Sequence, residues 1–144
     1  DATDSKPVVA RHESSSLSPG TMNILYVILG GAVGSVLRYL LSTFTQSFAK
    51  TPFPAETFAV NIIGTFCAGF LFHVADLYQL SSQSKLIIFT GILGGFTTFS
   101  AYALDTFSLF RGNETSLALL NIILTNAVGI AFLYVGYMVS KNIF

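Results

Sequence analysis

The sequence predicts an all-α membrane protein of four transmembrane helices, the third of them broken. Three observations predict it. Of 144 residues, 52% are hydrophobic and only 10% charged. A soluble domain carries roughly a quarter charged residues, so this chain cannot dress a water-facing surface. The charges leave uncharged runs of about 16–26 residues, bracketing the ~20 that cross a bilayer. The third run contains Gly91, Gly94 and Gly95 and then Thr97-Thr98. Glycines and β-branched residues weaken a helix. In lipid a weakened backbone is tolerated only where protein or a water-filled cavity covers it.

Residues 1–21 differ from the rest: Pro7, Pro19, Gly20, the run Ser14-Ser15-Ser16 and mixed charge read as a disordered tail. The tail lacks the apolar core of a signal peptide. Apolar sequence starts after Met22, which makes residues 22–144 the functional domain. Helix 1 is expected from near Asn23 to about Phe44, interrupted only by Arg38. A loop with Lys50, Pro52 and Pro54 follows. Helix 2 is uncharged over 57–75, and a polar, serine-rich loop covers 76–85. Helix 3 is uncharged over 86–104 and then carries Asp105. A short turn at 111–114 leads into helix 4, uncharged over 115–140.

Four crossings put both ends of 22–144 on one side, with Lys85 and Lys141. The opposite side has Lys50 and Arg111, with Arg38 near the end of helix 1. So even a distribution gives the positive-inside rule nothing to act on, and a chain that inserts both ways can form an antiparallel homodimer. Zero net charge offers nothing to a nucleic acid, and the single cysteine, Cys67, cannot form an intramolecular disulfide. His12 and His73 are too few for a metal cluster. Gly30, Gly31 and Gly34 on helix 1, Gly64, Ala68 and Gly69 on helix 2, and Gly129 and Gly136 on helix 4 mark places where helix backbones approach in lipid.

Three motifs stand in order. Helix 1 has Gly30-Gly31-Ala32-Val33-Gly34-Ser35-Val36-Leu37-Arg38-Tyr39. Helix 2 has Val60-Asn61-Ile62-Ile63-Gly64-Thr65-Phe66. Helix 3 has Gly91-Ile92-Leu93-Gly94-Gly95-Phe96-Thr97-Thr98-Phe99-Ser100-Ala101-Tyr102. The last resembles the G-x-x-G-G-x-T-T-F-S-T-F signature of the Fluc (CrcB) family of fluoride channels. The first two resemble that family's G-G-x-x-G-x-x-x-R-Y and V-N-x-x-G-x-F. Ala101 and Tyr102 depart from it, standing where the family usually has Thr and Phe. The resemblance spans Met22 to the C-terminus. It implies a dual-topology homodimer in the lipid bilayer, passive F⁻ export, a structural Na⁺ at the dimer centre and a phenylalanine box beside the ion.

Read with that resemblance, the candidate fluoride pathway is Asn61, Phe99, Ser100, Tyr102, Asn121, Thr125 and Arg38. Asn61 lies inside helix 2, where its amide either bonds a neighbouring helix or donates to an anion. Phe99 and Tyr102 are three apart on one side of helix 3. Fourteen Phe in the chain make packing the ordinary role for any one of them, but a ring edge is positive and can face a small anion. Tyr102 keeps that edge and adds a hydroxyl. Asn121, Thr125 and Gly129 share a helix-4 face, where the family tends to have Tyr and Ser at the first two positions; Asn126 points away from it. Arg38 is an interfacial anchor or a source of anion-concentrating field. Carbonyls freed at Gly94 and Thr97 are the candidate Na⁺ ligands.

No nucleophile–base set or nucleotide loop appears, so no enzyme is expected. The competing reading is a small multidrug-type transporter of four helices. That would need a membrane-embedded carboxylate, and none of the uncharged cores holds one. The expectation is a multi-pass protein of the cell membrane, the inner membrane in a bacterium, that exports fluoride to relieve its toxicity.

Overall fold

A computed structural model describes residues 19–144. Most of the expected tail lies outside these residues, and its last three, 19–21, already belong to the first helix. Helix α1 runs Pro19–Phe48. Proline is at home on the first helical residue, where its missing N–H would have had no partner. Helix α2 runs Ala55–Leu77 after Pro54. A short α3, Ser82–Lys85, is capped by Ser81, whose hydroxyl accepts from the Ser84 N–H at 3.2 Å. It continues as a π-helical segment, Leu86–Leu93, and a single turn, α4, Gly94–Phe96. After a break, α5 covers Phe99–Arg111 and α6 covers Thr115–Ile143.

Among the described residues, four stretches are long and apolar enough to cross a membrane: Gly20–Phe48, Ala55–Leu77, Ser82–Arg111 and Thr115–Ile143. The burial pattern agrees with a lipid surround. Ile130 is 72% exposed and Leu29 65%, while Asn121 is 2% exposed and Ser140 fully buried. A water-soluble fold would reverse that order. This is a multi-pass membrane protein.

Two backbone-to-backbone contacts set the frame. α1 lies along the π-helical segment and α4, and α2 lies along α6. A Cβ on Gly30 would come within 2.9 Å of the Gly91 Cα, and one on Gly91 within 2.9 Å of the Gly30 Cα. Between α2 and α6, a Cβ on Gly69 would strike the Leu133 carbonyl and one on Gly136 the Phe66 carbonyl. Lipid supplies no hydrophobic drive to bring helices together, so close packing of small residues must do it.

The third span breaks as expected, but not at its glycines. Gly91, Gly94 and Gly95 are all helical, and no glycine among the described residues has a positive φ. The chain is extended at Thr97 (φ −75°, ψ 156°) and Thr98 (φ −148°, ψ 116°). Packing explains the difference. Glycine's helical penalty is only about 1 kcal/mol per residue, and the contact with α1 requires Gly91 and Gly95 to stay in the helix: a Cβ on Gly95 would meet the Gly31 carbonyl oxygen at 2.7 Å.

Candidate functional site

The break is held open by two side chains that take the helix's own hydrogen bonds. In an uninterrupted helix the Thr98 N–H would bond the Gly94 carbonyl and the Ala101 N–H the Thr97 carbonyl. Instead Thr98 N–H donates to Asn61 Oδ1 at 2.9 Å, and Ala101 N–H donates to Thr98 Oγ1 at 3.2 Å, an N-cap on α5. Asn61 Nδ2 closes the clamp by donating to the Thr98 carbonyl at 3.2 Å. The Thr97 hydroxyl donates back to the Leu93 carbonyl at 2.9 Å. Gly94 and Thr97 therefore lose their helical donors. These are the two carbonyls named from sequence as cation ligands. Oxygen donors without a fixed charge suit a hard cation.

Two clefts meet at Thr98. The first, about 260 Å³, is framed by Asn61 and Thr65 of α2 and by the break itself. Phe99 and Tyr102 of α5 and Thr125 and Asn126 of α6 complete it. The two rings sit 5.6 Å apart between centroids, tilted by 53°. Phe99 is 79% exposed, so its ring stands open on the protomer surface. The second cleft, about 460 Å³, contains Arg38 with Ser35, Ser42, Thr57, Thr98 and Ser100, and no carboxylate lines it. Arg38 has no carboxylate partner among the described residues. A guanidinium among hydroxyls makes this cleft favourable for anions.

The sequence-derived residues thus fall into three places. Asn61, Phe99, Tyr102 and Thr125 share the first cleft, while Arg38 and Ser100 share the second. Asn121 reaches neither. It is buried between α5 and α6, where Nδ2 donates to Thr106 Oγ1 at 2.9 Å and Oδ1 accepts from Thr125 Oγ1 at 3.2 Å. The helix-4 stripe therefore turns its first residue into the protomer and only its second toward the cleft. Asn61, for its part, makes the interhelical bond and still keeps one amide N–H, since the clamp uses only the other.

Asn126 corrects the sequence reading, which points it away from the stripe that faces the site. It lines the first cleft, and its Nδ2 donates to Tyr102 Oη at 3.1 Å and to the Ile122 carbonyl at 2.8 Å. Its neighbour Thr125 had drawn attention through the i, i+4 stripe; a cleft between two helices admits residues from a wider arc. Thr65 was also missed, and nothing but its place in the second motif could have pointed to it. Asp105, one turn beyond Tyr102, belongs to a different cavity of about 270 Å³ with Glu56 and Glu114. Its buried Oδ2 has no hydrogen-bond partner among the described residues.

Comparison with known proteins agrees with this architecture. The family described as CrcB-like protein, Camphor Resistance (CrcB), matches residues 25–137. A fluoride-specific ion channel FluC from Parabacteroides distasonis is 41% identical over 122 residues, covering 85% of this chain and 95% of the relative. Proteins of the same name from Aquifex aeolicus and Agrobacterium fabrum are 40% and 41% identical, covering 83% and 85% of this chain and 98% and 99% of the relatives.

Proposed function

Since the chain belongs to the CrcB family, we infer that it is a fluoride-selective channel that lets F⁻ leave the cell passively and so relieves fluoride toxicity. It is a channel and not an enzyme. The observation that carries the reading is the clamped break at Thr97-Thr98, which sets amide, hydroxyl and ring-edge groups around an uncharged cleft.

Fluoride is small and strongly hydrated. A selective path must replace its water with several donors and still release it. In our reading Arg38 and the hydroxyls beside it, Ser100 included, gather anions in the wider cleft. The ion then passes Thr98 and meets the remaining Asn61 N–H and the edges of Phe99 and Tyr102. None of these carries a full positive charge that would trap it. Thr125 borders this path, with its proton directed to Asn121, so Asn121 acts by orienting Thr125 from inside the protomer.

We further propose that the working unit is an antiparallel, dual-topology homodimer. Phe99 and Gly94 are exposed on the single protomer, and a second copy would cover Gly94 and close the cleft that Phe99 borders. The near-even Lys/Arg distribution supports insertion both ways. Na⁺ belongs in the same proposal, as a structural ion held by the Gly94 and Thr97 carbonyls of both copies. The small multidrug-type alternative finds no support in α1, which has no carboxylate.

The test is anion efflux from liposomes containing the purified protein. Rapid F⁻ release with Cl⁻ retained is expected. Equal release of both ions, or release of neither, would overturn the reading. A reporter fused after Phe144 should be found on both sides of the membrane, and a one-sided result would remove dual topology.

A further inference from the structure

The second aromatic position of the cleft is a tyrosine, and its hydroxyl has a partner. Asn126 Nδ2 lies 3.1 Å from Tyr102 Oη and 2.8 Å from the Ile122 carbonyl. The Ile122 oxygen can only accept, so the atom facing it must be the amide nitrogen. That fixes the side chain on its own helix: one N–H is held by Ile122, one turn back on α6, and the other points at the phenol. The amide nitrogen only donates, so the phenol oxygen must accept. Tyr102's own O–H proton therefore remains uncommitted, with no acceptor among the described residues.

We propose that Asn126 is a positioning residue for Tyr102, holding its ring across the cleft from α5 to α6 and turning its O–H outward as a hydrogen-bond donor to the permeating anion. The inference rests on the cleft being the fluoride path. It adds to that reading a hydroxyl donor at a site where a phenylalanine would offer only a ring edge. A donated bond into the phenol oxygen also strengthens the phenol as a donor, because linked hydrogen bonds polarise one another. The pairing joins α5 to α6 beside the rings, while the buried Asn121–Thr106 bond joins the same helices inside the protomer. Loss of Asn126 therefore leaves the helices tied together and frees only the ring.

The experiment is a double-mutant cycle on fluoride efflux from liposomes, using Asn126→Ala, Tyr102→Phe and the pair. Size-exclusion chromatography and thermal stability are measured alongside. The net worth of a single hydrogen bond predicts that each single variant slows efflux by roughly three- to tenfold. The pair should be no slower than Tyr102→Phe alone, and assembly and stability should be unchanged in all three. Losses that multiply in the pair would overturn the proposal, since Asn126 would then act independently of the hydroxyl. A silent Asn126→Ala, or one that lowers stability and efflux together, would overturn it too. Phe99→Ile run in parallel separates the two levels. If it conducts normally, the cleft is not the path and both readings fail; if it is blocked while Asn126→Ala is silent, only the positioning role fails.

Discussion

Asn61 and Asn121 are both amides inside membrane helices, and they do opposite things. Asn61 turns to a backbone, taking the N–H and carbonyl of Thr98 and so keeping the third span from closing into a helix. Asn121 turns to side chains, donating to Thr106 and accepting from Thr125, and seals α5 against α6 at 2% exposure. The first is half-buried on an open cleft and the second lies in a closed knot. An unpaired amide in such surroundings costs free energy in either case. What differs is the partner. Bonding to side chains satisfies the amide and orients those side chains, here the Thr125 hydroxyl, but leaves every backbone rung in place. Bonding to a backbone also removes a rung of a helix, and the released carbonyl then becomes available to something else.

Substitutions can break or sharpen this contrast. The largest effect is expected for Gly94→Pro, which removes an N–H that bonds the Gly91 and Phe89 carbonyls just before the break. Proline inside a helix costs about 3 kcal/mol or more, and efflux should be lost along with proper assembly on size exclusion. Next is Asn61→Ala. It leaves the Thr98 N–H without its acceptor, at roughly 1–3 kcal/mol if that group stays buried, and takes from the Thr98 carbonyl the donor that supplements its first bond within α5. Fluoride efflux per assembled protein should fall by at least about tenfold. A wild-type rate would mean that the clamp does not organise the path.

Asn121→Ala should behave in the other way. Its cost is about 1–3 kcal/mol of stability, because the Thr125 hydroxyl loses its acceptor and the Thr106 hydroxyl, which still donates to the Tyr102 carbonyl, loses the bond it accepts; it is visible as a lower melting temperature in detergent. Efflux per assembled protein should change less than for Asn61→Ala. If the two variants lose efflux equally, the knot is part of the path and the contrast fails. Thr97→Ala should have the smallest effect. It removes a hydroxyl bond to Leu93 worth about 1 kcal/mol and leaves the carbonyl in place. Efflux should stay near wild type, whereas its abolition in an assembled protein would implicate the side chain and count against backbone ligation of Na⁺.

Much of this was legible in the sequence because it depends on local composition. The spans follow from where charge is absent, and the third was marked as weak by its glycines and threonines. The break's residues were legible only in part. Local propensity marks Gly91, Gly94 and Gly95 together with Thr97-Thr98, but α1 packs against the glycines and keeps them helical, so the chain opens only at the threonines. What opens the chain at Thr98 is an amide 37 residues away in sequence. The two asparagines look alike in sequence, each polar in an apolar run, and only the neighbouring helix decides which meets a backbone. Asn126 escaped for a related reason. A one-face stripe on α6 selects Asn121 and Thr125, but the cleft lies between α5 and α6 and accepts the next residue round.

The central claim is that the cleft beside the break, with its pair of rings, is where fluoride passes. Fluoride efflux from liposomes carrying Phe99→Ile tests it most directly. Isoleucine keeps an apolar side chain and removes the polarised ring edge, and the packing cost of such swaps is usually below about 1.5 kcal/mol. Phe99 is 79% exposed on the protomer, so the fold has little to lose. The account predicts a protein that assembles normally by size exclusion and barely conducts fluoride. Normal efflux from an equally well-assembled variant would contradict it.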